Sequence, residues 1–220
     1  MRSSAKPLDF RLNWMTWPAI LTLAVLSTST FLSGSAIAQP ATRVVLGTAT
    51  PGGGFPVYGE ALAKVINASG AGLVIEPRNT KGSYENMPML EGDQIDIALV
   101  AGEPAFEALS GIKGPVSKLK IIAAMYSTPG MFVVPANSYA GQAEPIRSVG
   151  SWSFILARPT LDEKVAYQLT RALHLNEKVF AQTIAQARET TAANTVAATF
   201  KADLLHPGSR RYLQEIGLLK

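Results

Sequence analysis

Residues 43–66 constrain this chain more than any other stretch: Arg-Val-Val-Leu-Gly, then Thr-Ala-Thr-Pro-Gly-Gly-Gly, then an amphipathic run. A short, nearly continuous apolar segment such as Arg43–Gly47 reads as a strand covered on both faces, as in a parallel sheet. Val57, Ala61, Leu62, Val65 and Ile66 recur at helical spacing, and Gly70 stops that helix. Each fixed glycine costs conformational entropy, so three in a row between strand and helix serve a close approach to backbone.

The same unit repeats downstream. Gly72–Arg78 is a second strand, Asn79–Ser83 a loop, and Ser83 is placed to cap a helix reaching Leu90, with Pro88 inside it. Ile95–Val100 is a third strand, and Lys118–Tyr126 and Gly130–Ala136 supply two more. Alternation of this kind implies an α/β fold with a parallel-rich sheet. Ligands of such sheets sit beyond the carboxyl ends of the strands, here Thr48–Phe55, Asn79–Ser83 and Ala101–Glu103. Free amides and the helix dipole at these points favour an anion.

The first 38 residues belong to a different category. Arg2, Lys6 and Arg11 form a basic start, Trp17–Leu32 is apolar, and Ala36-Ile37-Ala38 has the small-x-small pattern of a signal-peptidase site. The expectation is a signal peptide over 1–38, cleavage after Ala38, and a periplasmic protein. The whole chain has 20 basic and 16 acidic residues; without the leader's three basic residues and Asp9, 17 and 15 remain. A net charge of +2 is poor support for nucleic-acid binding, which wants a clustered basic face. The absence of cysteine excludes disulfides and thiolate metal sites.

Beyond Ser138 the texture changes. Val149–Pro159 reads as a strand, and Thr160-Leu-Asp-Glu163 has capping-box spacing before a helix from Leu161 to about Leu173. Helical stretches follow over Glu177–Ala187 and Ala192–Lys201, then one with Ser209 as cap and Gly217 as stop. Trp152 and Phe154 read as core.

Three motifs in order carry a resemblance: residues 47–67 (GTATPGGGFPVYGEALAKVIN), 79–100 (NTKGSYENMPMLEGDQIDIALV) and 205–217 (LHPGSRRYLQEIG). The chain resembles the TAXI-type solute receptors of TRAP transporters. Those receptors are similar to type II periplasmic binding proteins, whose two α/β lobes close on a small ligand. The likeness covers most of 43–138 and about 145–217. It implies ligand binding by Thr48, Ala49, Thr50, Gly53, Gly54, Phe55, Gly82 and Ser83, with Phe55 standing where the family often has a polar residue. It implies a small organic anion as ligand and TRAP membrane subunits as partners. It also implies a C-terminal His-Pro-Gly signature at His206, Pro207 and Gly208.

Length departs from that pattern. Residues 133–138 (VVPANS) resemble the end of lobe one, and residues 139–152 (YAGQAEPIRSVGSW) resemble the return after lobe two. The expected organisation is therefore a first α/β lobe over 39–138, with a return strand and C-terminal helices over 139–220 packing on it. The junction falls near Ser138–Tyr139. A one-lobe exported protein without transport activity is the alternative function.

Other chemistries find little support. Lys81-Gly82-Ser83 lacks the glycine spacing of a phosphate loop. His174 and His206 lack metal-ligand spacing. The serines of Gly150–Phe154 do not form G-x-S-x-G, and no nucleophile–base pair is visible, so neither catalytic residue, metal nor cofactor is expected.

Overall fold

The structure, a computed structural model, describes residues 40–129 and 150–220. Its first strand, β1 (Thr42–Gly47), is followed by α1 (Gly54–Ala68), β2 (Leu73–Arg78), α2 (Ser83–Glu91), β3 (Ile97–Val100), α3 (Gly102–Ser110) and β4 (Lys120–Pro129). After the break come β5 (Gly150–Ala157), α4 (Glu163–Leu175), α5 (Glu177–Thr183), α6 (Ala192–Ala198) and α7 (Pro207–Glu215). The expected signal peptide, the strand over Gly130–Ala136 and the Ser138–Tyr139 junction lie outside the described residues.

The five strands form one sheet in the order β2-β1-β3-β5-β4. β1 is parallel to β2 and β3, whereas β5 runs antiparallel to both β3 and β4. Four strands thus share a direction and β5 opposes them. The sheet is parallel-rich, as the sequence implied, with the strand from beyond the break threaded between β3 and β4. This is one mixed α/β sheet, as expected for a single α/β lobe.

Strand alternation divides the core. Val44, Leu46, Ile97, Leu99 and Ile155 face Tyr58, Leu62 and Ile66 of α1, Leu169 and Leu173 of α4, and Phe180 of α5. Ala98, Val100, Phe154 and Leu156 face the opposite side with Leu90 of α2, Leu109 of α3 and Leu213 of α7. Phe154 is core as expected, and Trp152 packs partly buried against it.

Both outer edges of the sheet are occupied by side chains. Asn67 in α1 accepts the Ile75 amide at 2.7 Å and donates to the Ile75 carbonyl at 3.1 Å, so it pairs with the outward face of β2 as a strand would. Pro77, two residues on, has no amide to offer on that side. Along β4, the His206 amide donates to Ile121 O at 2.9 Å, and Thr195 Oγ1 accepts the Ala124 amide at 3.1 Å. Thr190 Oγ1 donates to Met125 O at 2.7 Å, and Glu189 accepts the Ser127 amide at 2.7 Å. These contacts blunt edges that would otherwise pair with another chain.

Several local expectations are revised. Val57 is 58% exposed and Tyr58 takes the buried place beside it, while Ala61, Leu62, Val65 and Ile66 are buried as expected. The cap of α4 is Asp162, which accepts the Val165 amide at 3.0 Å; Thr160 is drawn instead to Asp93 and Arg158. Gly82, not Ser83, precedes the first turn of α2. α7 is capped by His206, whose Nδ1 accepts the Gly208 amide at 3.2 Å, while Ser209 is buried against Thr170 at 2.6 Å. The helix expected over Glu177–Ala187 stops at Thr183 and continues as a 3-10 turn over Ala185–Glu189.

Candidate functional site

The loops that the sequence singled out leave the carboxyl ends of β1 and β2, which are adjacent parallel strands, and they are bonded to one another. The Thr48 amide and hydroxyl both donate to Arg78 O, at 2.9 and 3.1 Å. Thr80 answers with its amide on Ala49 O at 3.3 Å and its hydroxyl on Thr48 O at 3.2 Å. Beneath them Asn86, fully buried, donates to Thr48 O at 2.8 Å and to Leu99 O at 2.9 Å. One amide group therefore ties the β1 loop to the end of β3. Ser83 completes the join by accepting the Ala101 amide at 2.9 Å.

The candidate residues divide by role within this arrangement. Thr48 is fully buried and its hydroxyl is committed to backbone, so it shapes the loop from inside. Ala49 and Ser83 are half-buried, whereas Thr50, Gly53 and Gly54 are exposed. Phe55 is half-buried and packs on the α1 side of the core. Gly82 adopts φ 97°, a left-handed conformation that favours glycine, and a Cβ there would lie 3.8 Å from Ala49 Cβ. The two glycine-bearing loops thus touch at Ala49 and Gly82.

No side chain caps α1, α2 or α3, whose flanking residues are Gly53, Gly82 and Ala101. The first turns of α1 and α2 therefore keep unsatisfied amides beside each other, with the positive ends of their dipoles at the same edge. The start of α3 is obstructed: a Cβ at Gly102 would overlap the Trp152 carbonyl oxygen and come 2.7 Å from Ser151. Ser83 accepts through its oxygen, so its hydroxyl proton is free to be donated outward. Arg78 and Lys81 add exposed positive charge nearby. An edge rich in donors suits a carboxylate or phosphate.

Tyr126, which the sequence reading did not single out, reaches this edge from β4. The register of β4 on β5 shifts between Ala124 and Ser127, leaving Met125 and Tyr126 together opposite Ser153. The ring of Tyr126 packs 5.5 Å from that of Tyr58, and its hydroxyl would lie 3.9 Å from a Cβ at Gly54. Partial burial pushes the Tyr126 hydroxyl pKa above the ordinary tyrosine value.

Among the described residues no group of His, Asp and Glu is placed to hold a metal ion. His174 bonds Glu177 through Nδ1 at 2.8 Å and keeps a buried Nε2 without a partner among those residues, whereas both nitrogens of His206 are bonded to backbone. A separate groove of about 580 Å³ lies between α2 and α3, lined by Tyr84, Met87, Pro88, Pro104, Val116 and Pro159 among others. It shares no residue with the two loops.

No curated protein matches the chain. The NMT1-like family matches it in two segments, residues 46–134 and 118–217, which together span both site loops, the end of β1, the other four strands and the C-terminal helices. The chain belongs to the NMT1-like family, a periplasmic-binding-protein-like family whose fold serves the binding of small solutes.

Proposed function

We propose that this chain is the periplasmic solute receptor of a TRAP transporter, of the TAXI type, and that it takes a small organic acid such as a dicarboxylate or an amino acid. The observation that carries the reading is the pairing of two uncapped helix starts, α1 and α2, on loops that bond each other at one sheet edge. The amides of Gly54, Phe55, Ser83 and Tyr84 have no acceptor among the described residues, so an anion meets them without displacing an existing protein bond there. The family's binding role and the order of the three sequence motifs support the same reading. Membrane subunits of a TRAP transporter would receive the solute.

Calorimetry with C4–C6 dicarboxylates and amino acids tests it, with Gly53→Val as the control variant. A Cβ at Gly53 would lie 3.2 Å from Thr50 O and 3.7 Å from Pro56 Cδ, so the two further methyl groups of valine crowd the exposed rim of the loop. The expected result is saturable binding by the wild type and a loss of about ten-fold or more in the variant, ~1.4 kcal/mol. Equal affinity in both proteins would leave the loop as scaffold and sink the reading of the site.

A further inference from the structure

Resting on that reading, we propose that Tyr126 is a ligand-contacting residue, its hydroxyl donating to the anion held at the first turn of α1. Three features converge on this. The bulge in β4 places two residues opposite Ser153, which turns Tyr126 away from the regular alternation of the strand. Bulges of this kind re-aim side chains beside binding sites. The ring is then held by Tyr58, itself fully buried and bonded through its hydroxyl to Thr190 at 2.7 Å, so the direction of Tyr126 is fixed by packing.

Second, the hydroxyl arrives at a glycine. Among the described residues outside its own helix turn, Tyr126 Oη is the one neighbour within 4 Å of a Cβ built at Gly54, and Gly54 is the first residue of α1. Space between the phenol and the open helix start is therefore reserved by the missing side chain. Third, among the described residues no group bonds the Tyr126 hydroxyl, whereas its neighbours are committed: Ser127 to Glu189 at 2.7 and 2.8 Å, and Tyr58 to Thr190. The Glu189 carboxylate beside β4 is itself engaged, since the Ser127 amide and hydroxyl both donate to it. A phenol presented beside helix amides offers a donor on a rigid ring at low entropic cost.

Purified wild type, Tyr126→Phe and Gly54→Ala proteins are titrated with succinate, glutarate and glutamate. Tyrosine ionisation is followed at 295 nm with and without each acid. Tyr126→Phe keeps the ring and its contact with Tyr58, so the thermal midpoint should stay, while affinity falls about ten-fold, as for a hydrogen bond to a charged group. Gly54→Ala puts a methyl group 3.9 Å from the hydroxyl and should weaken binding with the phenol intact. A bound anion also disfavours the phenolate, so the acid should move the ionisation midpoint of one tyrosine to higher pH in the wild type and of none in Tyr126→Phe. Wild-type binding that Tyr126→Phe matches in affinity overturns the role of Tyr126 and leaves the anion site standing. A wild type that binds none of the acids and has an unchanged tyrosine titration overturns both.

Discussion

His206 shows how much one side chain can organise. Its backbone amide closes on Ile121 of β4, its Nδ1 accepts the Gly208 amide to cap α7, and its Nε2 bonds Leu161 O at 3.0 Å. The last bond requires a proton on Nε2 and the cap requires a bare Nδ1, so the imidazole is neutral and its tautomer is fixed. Next to it, Gly208 permits α7 to approach α4: a Cβ there would overlap the Glu163 carbonyl and lie 2.6 Å from the Tyr167 amide nitrogen. Burial is the main cause that pushes the His206 pKa below 6.5, against the smaller upward pull of Leu161 O. In the window between that lowered value and 6.5 the unfolded chain binds a proton that the native one does not. Stability is therefore full above about pH 6.5 and falls as pH drops through that window, with a slope of up to about 1.4 kcal/mol per pH unit. Urea unfolding from pH 5 to 7.5 should give a flatter curve for His206→Asn, which keeps a capping oxygen but cannot titrate. Parallel curves for the two proteins would refute this linkage, since His174 is common to both.

At the scale of elements, the sheet edges explain both what the sequence disclosed and what it hid. β3 and most of β5 were legible because apolar side chains on both faces mark a covered strand. α3 was not assigned: Ala101–Glu103 was read only as a strand-end loop, whereas the helix starts at Gly102 and tolerates Pro104 in its first turn. The caps at Thr160, Ser83 and Ser209 were misplaced for one shared reason. A hydroxyl near a helix start is a local signal, and each was claimed by a distant partner: Asp93, the Ala101 amide and Thr170. Tyr126 had no local signature at all, since its aim depends on a bulge set by β5. The loops at Thr48–Phe55 and Asn79–Ser83 were visible because glycine runs constrain backbone regardless of context. Asn67 belongs with the hidden features: its Asn-Ala-Ser setting suggests a glycosylation sequon, while its side chain holds the β2 edge. Asn67→Ala should remove both bonds to Ile75, costing about 1–2 kcal/mol, and bare an edge strand. Chemical denaturation with size-exclusion chromatography should find a lower midpoint and concentration-dependent association. An unchanged midpoint and a clean monomer would mean that the edge is protected by Pro77 and the twist alone.

At the scale of the whole fold, the consequence is set by the single wall that the described residues supply. The described residues form a single sheet with helices on both faces, and the donors of α1 and α2 open at its carboxyl edge. Good pockets remove roughly 70–90% of a small ligand's surface from water, and a single wall removes about half. A carboxylate held there with one side in water would be screened, so its attraction to the exposed charges of Arg78 and Lys81 and to the helix ends would be weaker than in a closed cleft. Affinity should accordingly be about 0.1 mM or weaker, ~5.5 kcal/mol of binding free energy or less. Closure needs a second rigid body to swing, and its signature is a smaller radius of gyration in the liganded state. Small-angle scattering of the protein with and without saturating succinate should therefore give the same radius within error, alongside a weak calorimetric isotherm. Sub-micromolar binding with a contracted particle would mean that a second wall forms around the ligand. If contraction came instead with a doubling of particle mass, that wall would be another copy of this chain, and affinity would then depend on protein concentration.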